Sequence, residues 1–267
     1  MVTLEKLMNL KGKTVLITGA TGGLGQIFAQ TLAEMGANLI LVDMPGSNYK
    51  ALIEEVTVKW GISAQSIDCD LELLEERKKL IDTIKQQTDS LDVLINNAAF
   101  VGTTDLKGWT TDFEEQSVET WRRAVEVNLT AAFDISKGLT PMLRSSEGGC
   151  IINISSMYGI QGPDLRLYED TPMGNSAAYS ASKGGLTQLT RWLSTTLAPK
   201  IRVNTISPGG VFRNQPEKFI ERYEARTPMQ RMATEDDFRG AIAYLASDLS
   251  SYVTGHDLVV DGGWGVW

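Results

Sequence analysis

The sequence predicts an α/β fold, a single domain built on a doubly wound parallel sheet of about seven strands. Three observations carry this expectation. Short β-branched runs alternate with longer helical patterns from end to end. The runs are continuously apolar, as strands buried on both faces must be. The segments between them are long enough to be crossover helices. A chain of 267 residues, 42% hydrophobic, suits one domain, 1–267, with a substantial core.

In order, residues 13–18 (KTVLIT) read as a buried strand, followed by a glycine-rich turn and an apolar-periodic helix over 26–35. A strand over 38–43 (NLILVD), a helix over 49–60 and a strand over 62–68 come next. A charged amphipathic helix over 71–86 leads to a strand over 91–95 and a loop reaching about residue 116. One long helix is expected from 118 to 144, with Pro141 near its end. A strand over 150–155, a second long helix over 176–197, and strands over 201–206 and 258–260 complete the set. Right-handed crossovers between these strands give a Rossmann-like sheet. Two stretches, 160–175 and 208–228, break the rhythm after strands, at the sheet edge where this architecture binds ligands. They are the expected substrate loops.

Composition narrows the function. A net charge of −8 argues against nucleic acid or an anionic membrane as partner. Two cysteines and one histidine, His256, give no disulfide framework and no metal-ligand spacing. The first residues, MVTLEKLMNLKGK, do not have the pattern of a signal peptide, and no apolar stretch is long enough to span a bilayer. The expectation is a cytoplasmic protein acting on a small molecule.

Residues 18–25 (TGATGGLG) lie between a predicted strand and a predicted helix. Glycines there allow a tight turn and the approach of a pyrophosphate to a helix N-terminus, where free N–H groups and the dipole favour an anion. Gly19, Gly23 and Gly25 fit one known spacing of this turn and Gly19, Gly22 and Gly25 another; chain length and the VDGG ending favour the first. Eighteen residues beyond Gly25, the second strand ends at Asp43. A carboxylate there accepts bonds from the ribose hydroxyls of NAD and repels a 2′-phosphate, so NAD is expected over NADP. Asp70, with its neighbour Leu71, is expected near the adenine.

Tyr179 and Lys183, in YSASK, lie four apart on a predicted helix and so share a face. A phenol with a pKa near 10 is a poor base at neutral pH. Lowering it by roughly 2–3 units requires about 3–4 kcal/mol, which a nearby ammonium can supply.

With these pieces in place, the chain resembles the classical short-chain dehydrogenases/reductases over nearly its whole length. The resemblance rests on TGATGGLG, NNAA at 96–99, Asn128 in VNL, the serine pair 155–156 in INISS, YSASK, SPG at 207–209 and VDGG at 260–263. It implies that Tyr179 is the acid/base, that Lys183 lowers its pKa and holds the nicotinamide ribose, and that Ser156 hydrogen-bonds the substrate oxygen. It implies that Asn128 places a relay water, that Asn97 supports the sheet, and that Asn96, Asn97 and Ala98 lie against the cofactor. Thr21 and Leu24 of the turn, and Pro208, Gly209 and Val211, are implied as further cofactor contacts. The two long helices match those through which family members form dimers and tetramers, so a homo-oligomer is expected. The closing GWGVW suggests burial against a neighbouring subunit.

The chain departs from the family pattern in two places. Ser156 and Tyr179 stand 23 positions apart, wider than the usual spacing, and the extra residues are polar and charged. They suit a lid or substrate contacts, or a neutral surface insertion. Where the family places a threonine after Pro208-Gly209, this chain has Arg213. The carboxamide contact then falls to the backbone around Val211 or to Asn214. Arg213, Arg222 and Arg226 suggest an arginine fork for a phosphate or carboxylate on the substrate. The long insertion and SPGGVFRNQPEKF resemble oxidoreductases of flagellin modification and sialic-acid-type sugar biosynthesis, which implies a sugar or sugar-phosphate substrate. Two other readings stay open: a sugar epimerase or dehydratase using NAD transiently, and a non-catalytic NAD-binding protein.

Overall fold

A computed structural model of the chain describes residues 1–88, 90–101 and 106–267. Part of the loop expected before residue 116 therefore lies outside the described residues. After a short N-terminal helix, α1 (Leu4–Met8), strands β1 (Thr14–Thr18), β2 (Asn38–Asp43) and β3 (Ala64–Asp68) alternate with helices α2 (Gly23–Glu34) and α3 (Lys50–Trp60). Helix α4 (Leu74–Gln87) leads to β4 (Val93–Asn96). Strands β5 (Gly149–Ile154), β6 (Ile201–Pro208) and β7 (Asp257–Val260) follow.

All seven strands are parallel, in the order β3-β2-β1-β4-β5-β6-β7. The chain winds outward from β1 to β3, then returns to lay β4 on the other side of β1. That reversal leaves a crevice between the C-terminal ends of β1 and β4. Alternate residues feed opposite faces: Val15, Ile17, Leu39 and Leu41 enter one core, and Leu16, Ile40, Val42 and Leu94 the other. Central β5 is buried throughout, whereas edge strands β3 and β7 are largely half-exposed.

Several elements depart from the sequence expectation. The helix after the glycine turn starts at Gly23, so two glycines of the turn belong to its first turn. The expected single helix over 118–144 is two: α5 (Val118–Val125) and α6 (Ala131–Ser145), joined by a π-helical turn over Glu126–Thr130 that contains Asn128. The stretch 208–228, expected as a loop, contains α8 (Glu217–Arg226), which follows α7 (Ala177–Leu197) and precedes α9 (Arg239–Ala246). Helix α8 buries only Phe219 and Tyr223, and its many charged residues dominate the sequence pattern.

Candidate active site

The crevice is a cleft of about 610 Å³ at the ends of β1, β2 and β4, within the roughly 300–1,000 Å³ usual for small-molecule sites. Gly19 adopts φ +64°, and a Cβ there would stand 2.8 Å from Ala98 Cα. A Cβ on Gly25 would collide with Gly19 O, and one on Gly23 with the Arg213 guanidinium. One on Gly22 would meet only Gly19 O, at an ordinary 3.4 Å. The clashes at Gly19 and Gly25 are with backbone, whereas that at Gly23 is with the movable ends of Arg213 and Glu235, so sterics alone require only the first and last glycines. No side chain caps α2, which leaves its first-turn N–H groups for a ligand.

The turn is tied to its surroundings by short bonds. Asn97 donates its amide to Thr18 O and Gly19 O at 2.9 Å each, and Thr18 Oγ1 accepts from Asn97 N and Ala98 N at 3.1 Å. Asp43 Oδ2 accepts from Thr21 N at 2.8 Å and from Thr21 Oγ1 at 2.7 Å, while Oδ1 accepts from Met44 N. This carboxylate is held in one orientation at the cleft wall. Leu24, Asp70 and Leu71 line the same cleft, and Asp70 Oδ1 is engaged by Glu72 N. A glycine cradle, an uncapped helix start and a fixed carboxylate at the end of β2 make a donor set that suits a dinucleotide.

The four residues expected to carry the chemistry come from three different elements. Ser156 follows β5, Asn128 sits in the π-helical turn, and Tyr179 and Lys183 lie on α7. The Ser176 hydroxyl caps α7 by accepting from Tyr179 N at 3.2 Å, which fixes the tyrosine backbone in the first turn. The Ser156 hydroxyl accepts from Tyr158 N at 3.2 Å, which fixes it after the strand end. Lys183 is 2% exposed, its Nζ stands 5.9 Å from the Tyr179 ring centroid and donates to Ile154 O at 2.7 Å. Burial pushes its pKa down to about 8. Burial also raises Tyr179 above its ordinary value, with the Ser156 bond opposing. The lowering of the phenol expected from Lys183 is therefore not seen: burial dominates, and only Ser156 opposes it. Asn128 is locked: Oδ1 accepts from Phe100 N at 2.6 Å, and Nδ2 donates to Ser182 Oγ at 3.0 Å.

Around Tyr179 closes an aromatic cluster of Tyr158, Tyr168, Phe219, Tyr223 and Trp264. Tyr168 comes from the insertion, and its hydroxyl shares a 2.6 Å bond with that of Tyr158. Burial raises the pKa of both. The insertion is fastened to α8: Arg226 pairs with Asp164 at 2.8 Å, Lys218 with Asp170 at 3.4 Å, and Arg222 donates to Glu169 O. Arg226 also stacks on Trp264, 4.3 Å from the ring centroid.

These contacts change three sequence expectations. Arg222 and Arg226 are spent on the insertion and the C-terminal aromatic, so they form no open fork. Arg213, expected at the substrate mouth, lies on the glycine turn and pairs with Glu235 at 2.5 Å. Of the closing GWGVW, Trp264 is buried within its own chain at 1% exposure, whereas Trp267 is 71% exposed, so the subunit contact expected of the tail falls to Trp267 and Val266 alone. Asn214 is an exposed turn residue with φ +55°. Pro208 ends β6, Gly209 N donates to Val260 O at 2.9 Å, and Val211 bridges to Ala233, so this segment is pinned at the sheet edge.

Sequence reasoning passed over Tyr158, Tyr168 and Glu235, along with a buried polar chain. In that chain Asn96 donates to Asn153, Asn153 donates to Thr190, and Thr205 donates to Thr190, each at 2.8 Å, linking β4, β5, α7 and β6 beneath the site. The one available signal was polar residues inside otherwise apolar strands. Among the described residues no cluster suited to a metal ion occurs, and no helix is long and apolar enough to cross a membrane.

Comparison with known proteins agrees with this geometry. A family model described as Enoyl-(Acyl carrier protein) reductase matches residues 19–265. The post-translational flagellin modification protein A of Campylobacter coli is 30% identical over 96% of this chain and 100% of its own. A short-chain dehydrogenase from Leptospira borgpetersenii with bound NAD+ superposes with TM-score 0.83 at 31% identity, covering 99% of this chain and 97% of that one. A Beutenbergia cavernae chain with bound NADP, described as an NAD(P)-dependent gluconate 5-dehydrogenase, gives TM-score 0.85 at 31% identity over 98% and 100%. Built on the same sheet and matched from the glycine turn to the C-terminal tail, the chain belongs to the short-chain dehydrogenase/reductase family of oxidoreductases acting on CH–OH groups.

Proposed function

We propose that this enzyme transfers hydride between NAD and a secondary alcohol or ketone carbon of a sugar-type substrate. The observation that carries this reading is the set of buried Ser156 and Lys183 with half-buried Tyr179, in a chain whose cleft carboxylate, Asp43, is fixed by Thr21. The nicotinamide supplies or accepts the hydride when bound. In the reducing direction Ser156 donates a hydrogen bond to the substrate carbonyl, and the Tyr179 phenol gives up the proton that the new alkoxide takes. Oxidation runs these transfers backward. Lys183, on the same face of α7 as Tyr179, supplies the positive charge that favours the phenolate. Because both ends of the Asn128 side chain are engaged, a relay water there would bind the main-chain carbonyls of the π-helical turn.

NAD is favoured over NADP because a 2′-phosphate would meet the fixed Asp43 carboxylate. Arg123, which lines the cleft, is held bidentately by Glu72 at 2.8 and 3.1 Å, so its charge is already matched. The sugar reading rests on two features. Tyr158 and Tyr168 pack in one cluster with Tyr179 and pair their hydroxyls there, which suits a polyhydroxylated ligand. A gluconate-type relative and a flagellin-modification relative share the fold over their whole length. With the flap arginines occupied, an uncharged sugar or polyol fits better than a sugar phosphate. Both cysteines are buried and free, which suits a reducing, cytoplasmic compartment, and the exposed apolar residues of α5–α7 suit a dimer or tetramer.

The test is NADH formation across a panel of polyols, sugars, sugar acids and sugar phosphates, run with NAD and with NADP. Turnover confined to NAD and uncharged polyols or sugars is the expected result. Equal use of NADP would refute the Asp43 argument, and turnover of simple alcohols alone would remove the sugar reading.

A further inference from the structure

Beside Gly23, in the turn expected to seat the cofactor diphosphate, stands a charged pair. The middle glycine of such a turn exists so that a pyrophosphate can approach the helix N-terminus without meeting a Cβ. Here the space a Cβ on Gly23 would fill is taken by the Arg213 guanidinium, with Glu235 Oε1 2.8 Å from the same point. The two side chains pair at 2.5 Å and are each more than a third exposed, so a ligand can reach them. Both ends are braced. Gln215 Oε1 accepts from Arg213 N at 2.7 Å, and its amide donates to Val211 O at 2.8 Å, which folds the loop back on itself. Glu235 opens a 3-10 turn capped reciprocally by Thr234 and Asp237, and Asp237 is held in turn by Arg231.

We infer that Arg213 and Glu235 form a latch on the cofactor diphosphate. Arg213 pairs with Glu235 in the free enzyme and transfers to a diphosphate oxygen when the dinucleotide binds. The inference rests on the nicotinamide-cofactor reading and assigns Arg213 to the cofactor in place of the substrate. Arg213 gains a doubly charged partner, while Glu235 places a carboxylate beside an anion site and competes for the guanidinium. The two residues therefore act on affinity with opposite signs. A pair that merely stiffened the loop would weaken binding whichever half was lost.

Isothermal titration of the full chain with NAD+, ADP and adenosine separates these cases. Arg213→Gln is expected to raise the Kd for NAD+ and ADP about tenfold, and Glu235→Gln to lower both several-fold. Adenosine, which lacks phosphates, is expected to bind alike to all three proteins. Arg213→Lys should recover part of the loss and keeps the test open if Arg213→Gln folds poorly. If Arg213→Gln leaves the NAD+ and ADP affinities unchanged and raises only the KM of the alcohol substrate, the latch is refuted and Arg213 returns to the substrate side. If both variants weaken binding, the pair is only a brace and the latch is again refuted. Wild-type protein binding neither NAD+ nor NADP+ would overturn the cofactor reading itself, and the latch with it.

Discussion

At the residue scale, the buried lysine is the costliest group in the site. Lys183 ionises at about 8 in the fold, against an ordinary 10.5. Below pH 8 the folded and unfolded chains both hold its proton, and the fold bears the full cost of burying an ammonium. Between about pH 8 and 10.5 the unfolded chain binds the proton more readily, so stability rises with pH across that window. Lys183→Met should therefore stabilise the protein at pH 7 by about 1–3 kcal/mol, and the gain should vanish near pH 10.5. Urea unfolding at the two pH values measures this, and a variant less stable than wild type at pH 7 contradicts it. The same variant should lose activity. Tyr179→Phe tests the chemistry more directly. Removing the proton donor should cut kcat about 10²–10⁴-fold and leave the Kd for NAD+ unchanged. Asp43→Ser, which removes the carboxylate fixed by Thr21, should bring the kcat/KM for NADP toward that for NAD.

At the scale of elements, the insertion, α8 and the C-terminal tail behave as one unit. Arg226 joins all three, pairing with Asp164, stacking on Trp264 and accepting the Trp267 indole N–H at its carbonyl. Arg226→Ala should lower stability by about 1–2 kcal/mol. It should also speed hydrogen exchange across 160–175, and raise the substrate KM more than it changes kcat. Unchanged exchange there would mean the insertion is held by its apolar contacts alone. This element also shows where sequence reading stops. The strands were legible because a parallel sheet buried on both faces leaves unbroken apolar runs, as in VLIT and CIINI. Tyr179 and Lys183 were legible because a four-residue spacing on a helix needs no tertiary information. The π-helical turn at Asn128 was not, since one extra residue per turn barely disturbs the apolar period of the flanking helices. Nor was the position of Arg213 on the glycine turn, because its partner Glu235 lies 22 residues further along, and the Val211–Ala233 bridge and the packing of the 3-10 turn at Glu235 against α2 bring the two together.

At the scale of the whole molecule, the helical face opposite the sheet is unusually apolar for a surface. Trp121 on α5, Phe133 on α6 and Trp192 on α7 are 40%, 42% and 57% exposed, and Val118 adds to them. Helices α5 and α7 pack against each other, so both present this face on the same side of the sheet. A monomer gains nothing by leaving three aromatic rings in water, while burying them against a second copy stabilises both chains at roughly 25 cal/mol per Å² of apolar surface. Helix α7 also carries Tyr179 and Lys183, and the turn joining α5 to α6 carries Asn128, so an interface here would stiffen the elements that hold the chemistry. Light scattering after size exclusion should give a mass of at least two chains for the wild type. Trp121→Asp combined with Trp192→Asp should shift it to one. The unfolding temperature of the wild type should rise with protein concentration, and that of the double variant should not. A wild type that stays monomeric at high concentration would mean these rings are covered by something other than a copy of the chain. If instead the double variant is monomeric and keeps its affinity for NAD+ but loses kcat, the interface supports the catalytic helices without shaping the cofactor cleft.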